Sequence, residues 1–262
     1  MNCINCNQEV TGNFCPNCSQ RTTVKRITFK EGWYDFWARI YGFDGMFQRT
    51  LRDLTIRPGV AVKRFIEGNR VLYYGPVGYF FLMITLMLLL YDMMGISFLE
   101  IMKASGAAVV KTDTQKQAVF VQKIFQAISD NLKIFFFLFI PFQAFAARYI
   151  VFRKSGFNFI EHSILPFYVM GHDLWINIIL GVIYAINGEY YTWTAFITFF
   201  YFGYAYSTMM TYQSRVKAFF KGIVVWLVGY LLLFLTMMLI ATAIIFIVSK
   251  TNPEVLKNWL KS

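Results

Sequence analysis

Cys3, Cys6, Cys15 and Cys18 account for every cysteine in the 262-residue sequence. The spacing Cys3-x2-Cys6-x8-Cys15-x2-Cys18 makes two knuckles, each able to bring two thiolates to one ion, joined by a loop that lets the second fold on the first. That is the donor set of one tetrahedral zinc ion, and four thiolates leave no coordination position for water, so the metal is expected to be structural. Two disulfides in an exported peptide are the competing reading. Residues 1–20 lack a signal-peptide pattern and a basic segment follows them, which points to a reducing cytoplasm and a mature chain beginning at or near Met1. A segment this short, with Ile4, Val10 and Phe14 as its large apolar side chains, buries too little to fold alone. Metal binding is expected to supply its folding free energy.

A second constellation lies in an apolar run. Asp173 and Asn177 are four residues apart and so share a helical face, with His172 adjacent. Ionisable groups at membrane depth are costly and face protein or water. They could form a proton, ion or substrate site. The reading we favour makes them interhelical hydrogen-bonding groups, each contributing ~1 kcal/mol and specifying packing. No second acidic residue recurs at that depth: Asp92 is nearer a membrane end, and Glu161 lies about 16 Å from His172 along the axis. The sequence has no metalloprotease helix, no serine/lysine pair within one span, no phosphate-binding glycine loop and no intramembrane carboxylate pair, so it assigns no catalytic residue.

The elements that position these groups follow from composition. Hydrophobic residues make up 57% of the chain, aromatics 19% and charged residues 15%, unlike a soluble domain. Apolar runs at about 77–97, 132–150, 163–186, 190–212 and 222–248 each suit a membrane helix of at least ~17 residues. The expected fold is an all-α polytopic membrane protein of about five transmembrane helices with a small N-terminal zinc ribbon. Pro141 predicts a kink or local opening in the second span, with Gln143 near enough to satisfy freed groups. Val121, Ile124, Phe125, Ile128 and Leu132 recur at helical spacing in the connection from Ser97 to Asn131, which predicts an extension of that span. Gly203-x-x-x-Ser207 permits close helix approach. With the N-terminus inside, Arg148, Arg153, Lys154, Arg215, Lys217 and Lys221 fall on the cytoplasmic side and Glu189 outside, as the positive-inside rule asks. Lys103, Lys111, Lys116 and Lys123 in the first outer loop, and Lys250, Lys257 and Lys261 in the tail, run against it.

The net charge is +11, and residues 21–70 carry eleven basic and five acidic residues. Charge beside apolar spans is what cytoplasmic retention places there, and the cysteine module has no basic residue before Arg21, so nucleic acid is not the expected partner. Thr28 and Glu31 form a capping box that predicts a helix start. Phe29, Trp33, Phe36, Trp37 and Ile40 then follow at steps of three and four, with Arg39 on another face. This stripe suits packing on neighbouring helices or an interface with anionic lipid headgroups, or both. A second helix is predicted around Met46–Ile56, with Phe47, Thr50, Leu51 and Leu54 on one side. Arg57-Pro58-Gly59 ends it, and Pro58 opens a third helix that stops at Gly68.

The cysteine spacing, Gly12-Asn13-Phe14-Cys15, Arg57-Pro58-Gly59, Glu67-Gly68-Asn69-Arg70 and Tyr73-x-x-Pro76 together resemble a family of uncharacterised bacterial inner-membrane proteins that pairs an N-terminal zinc ribbon with a membrane domain. That family often has Gly after each CxxC, where this chain has Asn7 and Ser19. The resemblance implies a multi-pass protein of the bacterial inner membrane, and implies no activity. The expected organisation is a zinc ribbon (1–24), basic juxtamembrane helices (25–75), a transmembrane domain (76–250) and a tail (251–262). The functional expectation is a noncatalytic membrane adaptor or assembly protein whose ribbon engages a cytoplasmic partner or the chain's own juxtamembrane helices, with a second copy of the chain as a further candidate partner. The alternative is a small transporter or channel built on His172, Asp173 and Asn177.

Overall fold

The computed structural model describes residues 2–18, 22, 45–97, 99–101, 122, 125–127, 129–188 and 195–251. Contacts divide the chain into a unit Met1–Gly45 and a unit Met46–Ser262. The stripe of Phe29, Trp33, Phe36, Trp37, Arg39 and Ile40, with its Thr28 capping box, lies outside the described residues. So do Val121, Ile124 and Ile128, although Phe125 is helical.

Among the described residues the second unit is helical: α1 (Met46–Ile56), α2 (Pro58–Ile66), α3 (Pro76–Met93), α4 (Leu132–Phe145), α5 (Phe159–Asn187), α6 (Ala195–Met209) and α7 (Arg215–Thr251). Four segments among the described residues are long and apolar enough to cross a membrane, Pro76–Met93, Leu132–Val151, Phe159–Asn187 and Arg215–Ile240. The fourth expected span, 190–212, contains α6, whose described length is 15 residues. The start signals behave locally as their chemistry dictates. Pro58 and Pro76 open helices that lose nothing by lacking an N–H there. Asn158 and Glu161 close a reciprocal capping box on α5, and Gly68 takes φ +109° just past α2.

Helices α3 and α5 run parallel and pack closely. Tyr79 meets His172 near one end and the Tyr91 hydroxyl donates to the Asn177 carbonyl near the other, at 2.7 Å. Gly171 and Gly181 make this possible, since a Cβ at Gly181 would fall 2.3 Å from the Tyr91 ring. Helix α7 runs antiparallel to α4 and α6, shown by Phe139 on Tyr230 at 4.2 Å between ring centroids and Phe199 on Trp226 at 5.5 Å. Gly203 serves this internal seam, where its missing side chain admits Phe219. Beyond Pro141, the rod of α4 continues as a π-helical segment, Ala146–Val151. Gln143 does not turn back to groups freed by the proline. Its Nε2 donates to the Trp226 carbonyl of α7 at 3.2 Å, over Gly229, because the buried amide meets the neighbouring helix first.

The hairpin of α1 and α2 packs into this bundle. Pro58 has no N–H to offer the Leu54 carbonyl four residues back, and the Tyr201 hydroxyl of α6 donates to it at 2.8 Å. Tyr204 does the same for Ile56 at 2.6 Å. Gly59 then lies directly on α6, with its amide donating to Thr208 Oγ1 at 3.0 Å, and a Cβ there would stand 2.2 Å from both the Ala205 carbonyl and the Met209 nitrogen. Backbone cannot yield as a side-chain tip can. Gly59→Ala is therefore expected to lever the hairpin off α6 and destabilise the second unit by about 3 kcal/mol, read as a lowered Tm in detergent. An unchanged Tm would remove this close contact.

Candidate functional site

The first unit is built around sulfur. Cys3 donates its amide to the Gln8 carbonyl and accepts from Asn7 N–H at 2.9 Å, which folds the first knuckle back so that Asn2 pairs with Glu9. Asn7 stands at φ +58°, a left-handed conformation that asparagine tolerates better than other side chains except glycine. This is how the chain manages without Gly after its first CxxC. Thr22 fastens the loop by donating from its amide to Asn13 and from Oγ1 to the Gly12 carbonyl at 2.9 Å.

Cys3, Val10 and Cys15 form one buried cluster, and Cys6 and Cys18 pack half-buried against it. All four Sγ atoms lie within 4.8 Å of one another. The closest pairs, Cys3 with Cys18 and Cys6 with Cys15, are each 3.5 Å apart. The four are thiols rather than disulfides. Tetrahedral metal–sulfur bonds of ~2.3 Å place sulfurs about 3.8 Å apart, so the cluster fits an ion that all four would hold. The pairing is across the two knuckles, as one shared ion requires. Ile4 and Phe14 point outward, 74% and 57% exposed.

In the second unit the structure separates His172 from Asp173. The His172 ring is buried and makes contacts with Thr55 Oγ1 through Nε2 at 3.2 Å and with the Tyr79 hydroxyl through Nδ1 at 3.1 Å. It thus joins the hairpin to α3. Successive residues on a helix point about 100° apart, which is why sequence adjacency does not make them one site. Asp173 and Asn177 do meet: Asn177 Nδ2 donates to Asp173 Oδ2 at 3.2 Å and to the Asp173 carbonyl at 2.9 Å. Thr198 of α6 donates to Asp173 Oδ1 at 2.5 Å. The carboxylate is a bridge between α5 and α6. On α6, Phe196, Ile197, Phe200, Tyr201 and Tyr204 line a shallow apolar groove of about 660 Å³.

Asp53 is the group that reading the sequence passed over. It is 1% exposed. Arg52 donates to its Oδ1 from Nε and a terminal nitrogen at 3.0 and 2.9 Å, Arg57 reaches Oδ2 at 3.3 Å, and the Tyr73 hydroxyl donates to Oδ2 at 2.9 Å. Burial alone would push the Asp53 carboxyl up. The Tyr73 and Arg52 hydrogen bonds and the nearby Arg57 and Arg52 charges outweigh it and hold the carboxyl below its ordinary 3.8. Thr50 supports the same corner by accepting the Tyr74 amide at 2.8 Å. The resemblance motifs thereby acquire positions: Arg57 on Asp53, Pro58 and Gly59 at the elbow, Gly68 past α2, Tyr73 beneath Asp53 and Pro76 at the start of α3. Arg70 is exposed. One signal could have found the corner: an aspartate four residues from Arg57 on a helix whose other face is apolar.

No curated protein and no solved structure matches this chain. Over residues 44–88, which run from the start of the hairpin well into α3, the chain is similar to the family described as "Protein of unknown function (DUF3667)".

Proposed function

We propose that this chain is a noncatalytic adaptor of the bacterial inner membrane, its N-terminus cytoplasmic, in which a zinc ribbon recruits a protein partner to a helical anchor. The observation that carries the reading is the closed sulfur cluster: four cysteines within 4.8 Å would hold one zinc ion with no position left for a substrate. Bound there, zinc would supply a crosslink between the knuckles, and the protein surface so formed presents Ile4 and Phe14 to a partner. The polar groups of α5 support the same reading, since Asp173 accepts from Thr198 of α6, His172 bonds to Thr55 of α1 and Tyr79 of α3, and Asn177 steadies Asp173 from its own helix, as packing groups do.

Gentle purification from native membranes tests the proposal. A stoichiometric protein is expected to accompany the wild type and to be lost from Ile4→Ser/Phe14→Ser; a bound solute in its place, or a partner held equally by both forms, would overturn it.

A transporter is the second reading, favoured by one feature: an ionisable side chain, Asp173, bridges two apolar helices, α5 and α6. Asp173→Asn separates the two. It keeps the shape and most of the hydrogen bonding, so normal insertion, a Tm only slightly lowered and retained cellular activity are expected of an adaptor, while Asp173→Leu is expected to impair assembly more. Loss of activity or solute flux in a folded, partner-bound Asp173→Asn protein would make ionisation the function and the adaptor reading wrong.

A further inference from the structure

The corner around Asp53 has more positive charge than it uses. Two guanidiniums, Arg52 and Arg57, share one carboxylate whose oxygens are also engaged by Tyr73. Each guanidinium carries five N–H donors, so most of them remain directed elsewhere, and the two side chains are 59% and 42% exposed. Residues 46–75 hold six basic and two acidic residues; the second acid, Glu67, lies 3.8 Å from Lys63.

The corner leads directly into an apolar helix. Helix α3 has 18 residues, about 27 Å of rise, against the ~30 Å of hydrocarbon that a membrane helix crosses. Tyr73, the partner of Asp53, precedes its first residue by three positions. Arg52 and Arg57 thus belong to the basic segment that flanks α3, where positive charge draws anionic lipid headgroups, and a buried acid clamps them in place. A planar fork held there matches the oxygens of a phosphate in pairs.

We infer that Arg52 and Arg57 bind a phosphate group, presented by an anionic lipid headgroup at the membrane boundary. Asp53 orients the forks and Tyr73 fixes Asp53. Free phosphate offers the same oxygens, so the test separates the two sources. Purified, delipidated full-length protein is exposed to phosphatidylglycerol, to phosphatidylcholine or to inorganic phosphate, with retained lipid counted by native mass spectrometry and Tm followed in parallel. The wild type is expected to retain phosphatidylglycerol about five-fold over phosphatidylcholine and to gain Tm with it. Arg52→Gln/Arg57→Gln is expected to lose that preference, while Arg70→Gln/Arg215→Gln, matched in charge, keeps it. Should the glutamine pair fail to fold, Arg52→Lys/Arg57→Lys keeps the charge without the fork and is expected to lower the preference by about half or more. No preference in the wild type, stabilisation by inorganic phosphate without lipid retention, or equal loss in the charge-matched control would each overturn the inference.

Discussion

Cys15→Ser is expected to release the metal ion from purified protein, taking a full equivalent to none, and to unfold residues 2–18 while the helical unit still inserts. Among the described residues the first unit has a small core, Cys3, Cys15 and Val10 with Cys6 and Cys18 packed around them, supported by backbone hydrogen bonds such as Cys3 to Gln8 and by the Thr22 side chain on Gly12. Structural zinc in small cysteine modules supplies apparent binding free energies of ~10–16 kcal/mol near neutral pH. A serine hydroxyl at Cys15 is a poor donor for zinc and stands in the buried centre. The consequence should be large and confined, because the second unit has its own core. Elemental analysis with limited proteolysis measures both halves of the prediction. Metal-free wild type, or intramolecular disulfides in cells, would sink it; zinc rather than another soft metal is read from the same analysis.

Asp53→Ala is expected to cost about 2–4 kcal/mol and to loosen the hairpin from the bundle. Removal leaves the buried Tyr73 hydroxyl without its acceptor and sets two guanidiniums side by side without the carboxylate between them. Most of the effect should come from these stranded groups. Arg52 and Arg57 are both more than one-third exposed, so water screens their share and the lower end of the range applies to it. The pH dependence has a definite sign. The folded carboxyl lies below its ordinary 3.8, so its stabilisation is present above that value and is lost as pH falls through the lower folded pKa. Asp53→Asn should keep a partner for Tyr73 but flatten this acid limb. Thermal unfolding in detergent between about pH 3 and pH 6 measures it, and a wild-type curve unchanged by Asp53→Asn would refute the electrostatic part.

The two classes of prediction mark how legible the molecule was. Signals that act over a few residues were readable directly. Two CxxC pairs bring their own sulfurs close, Pro58 ends one helix and opens the next, Gly68 follows with positive φ, and the five apolar runs mark helices, four of them in segments long and apolar enough to cross a membrane among the described residues. Each depends on backbone geometry or on burial per residue, and neither needs a partner far along the chain. Asn7 is a case of the same kind, since its left-handed φ follows from the turn it occupies.

What joins distant segments was decided by the tertiary structure. The Leu54 carbonyl is orphaned by Pro58 in any context, yet that its donor is Tyr201, 147 residues away, depends on which faces of α1 and α6 meet. Asp53 looked like one more charge on a basic helix until Tyr73 closed over it. His172 and Asp173, neighbours in the chain, face different helices because about 100° of rotation separates them, whereas Asp173 and Asn177, a turn apart, share one bridge to Thr198. Helix periodicity determines which residues share a face; only packing determines what that face touches, since many pairings of apolar surfaces are nearly equal in energy and the few buried polar groups choose among them.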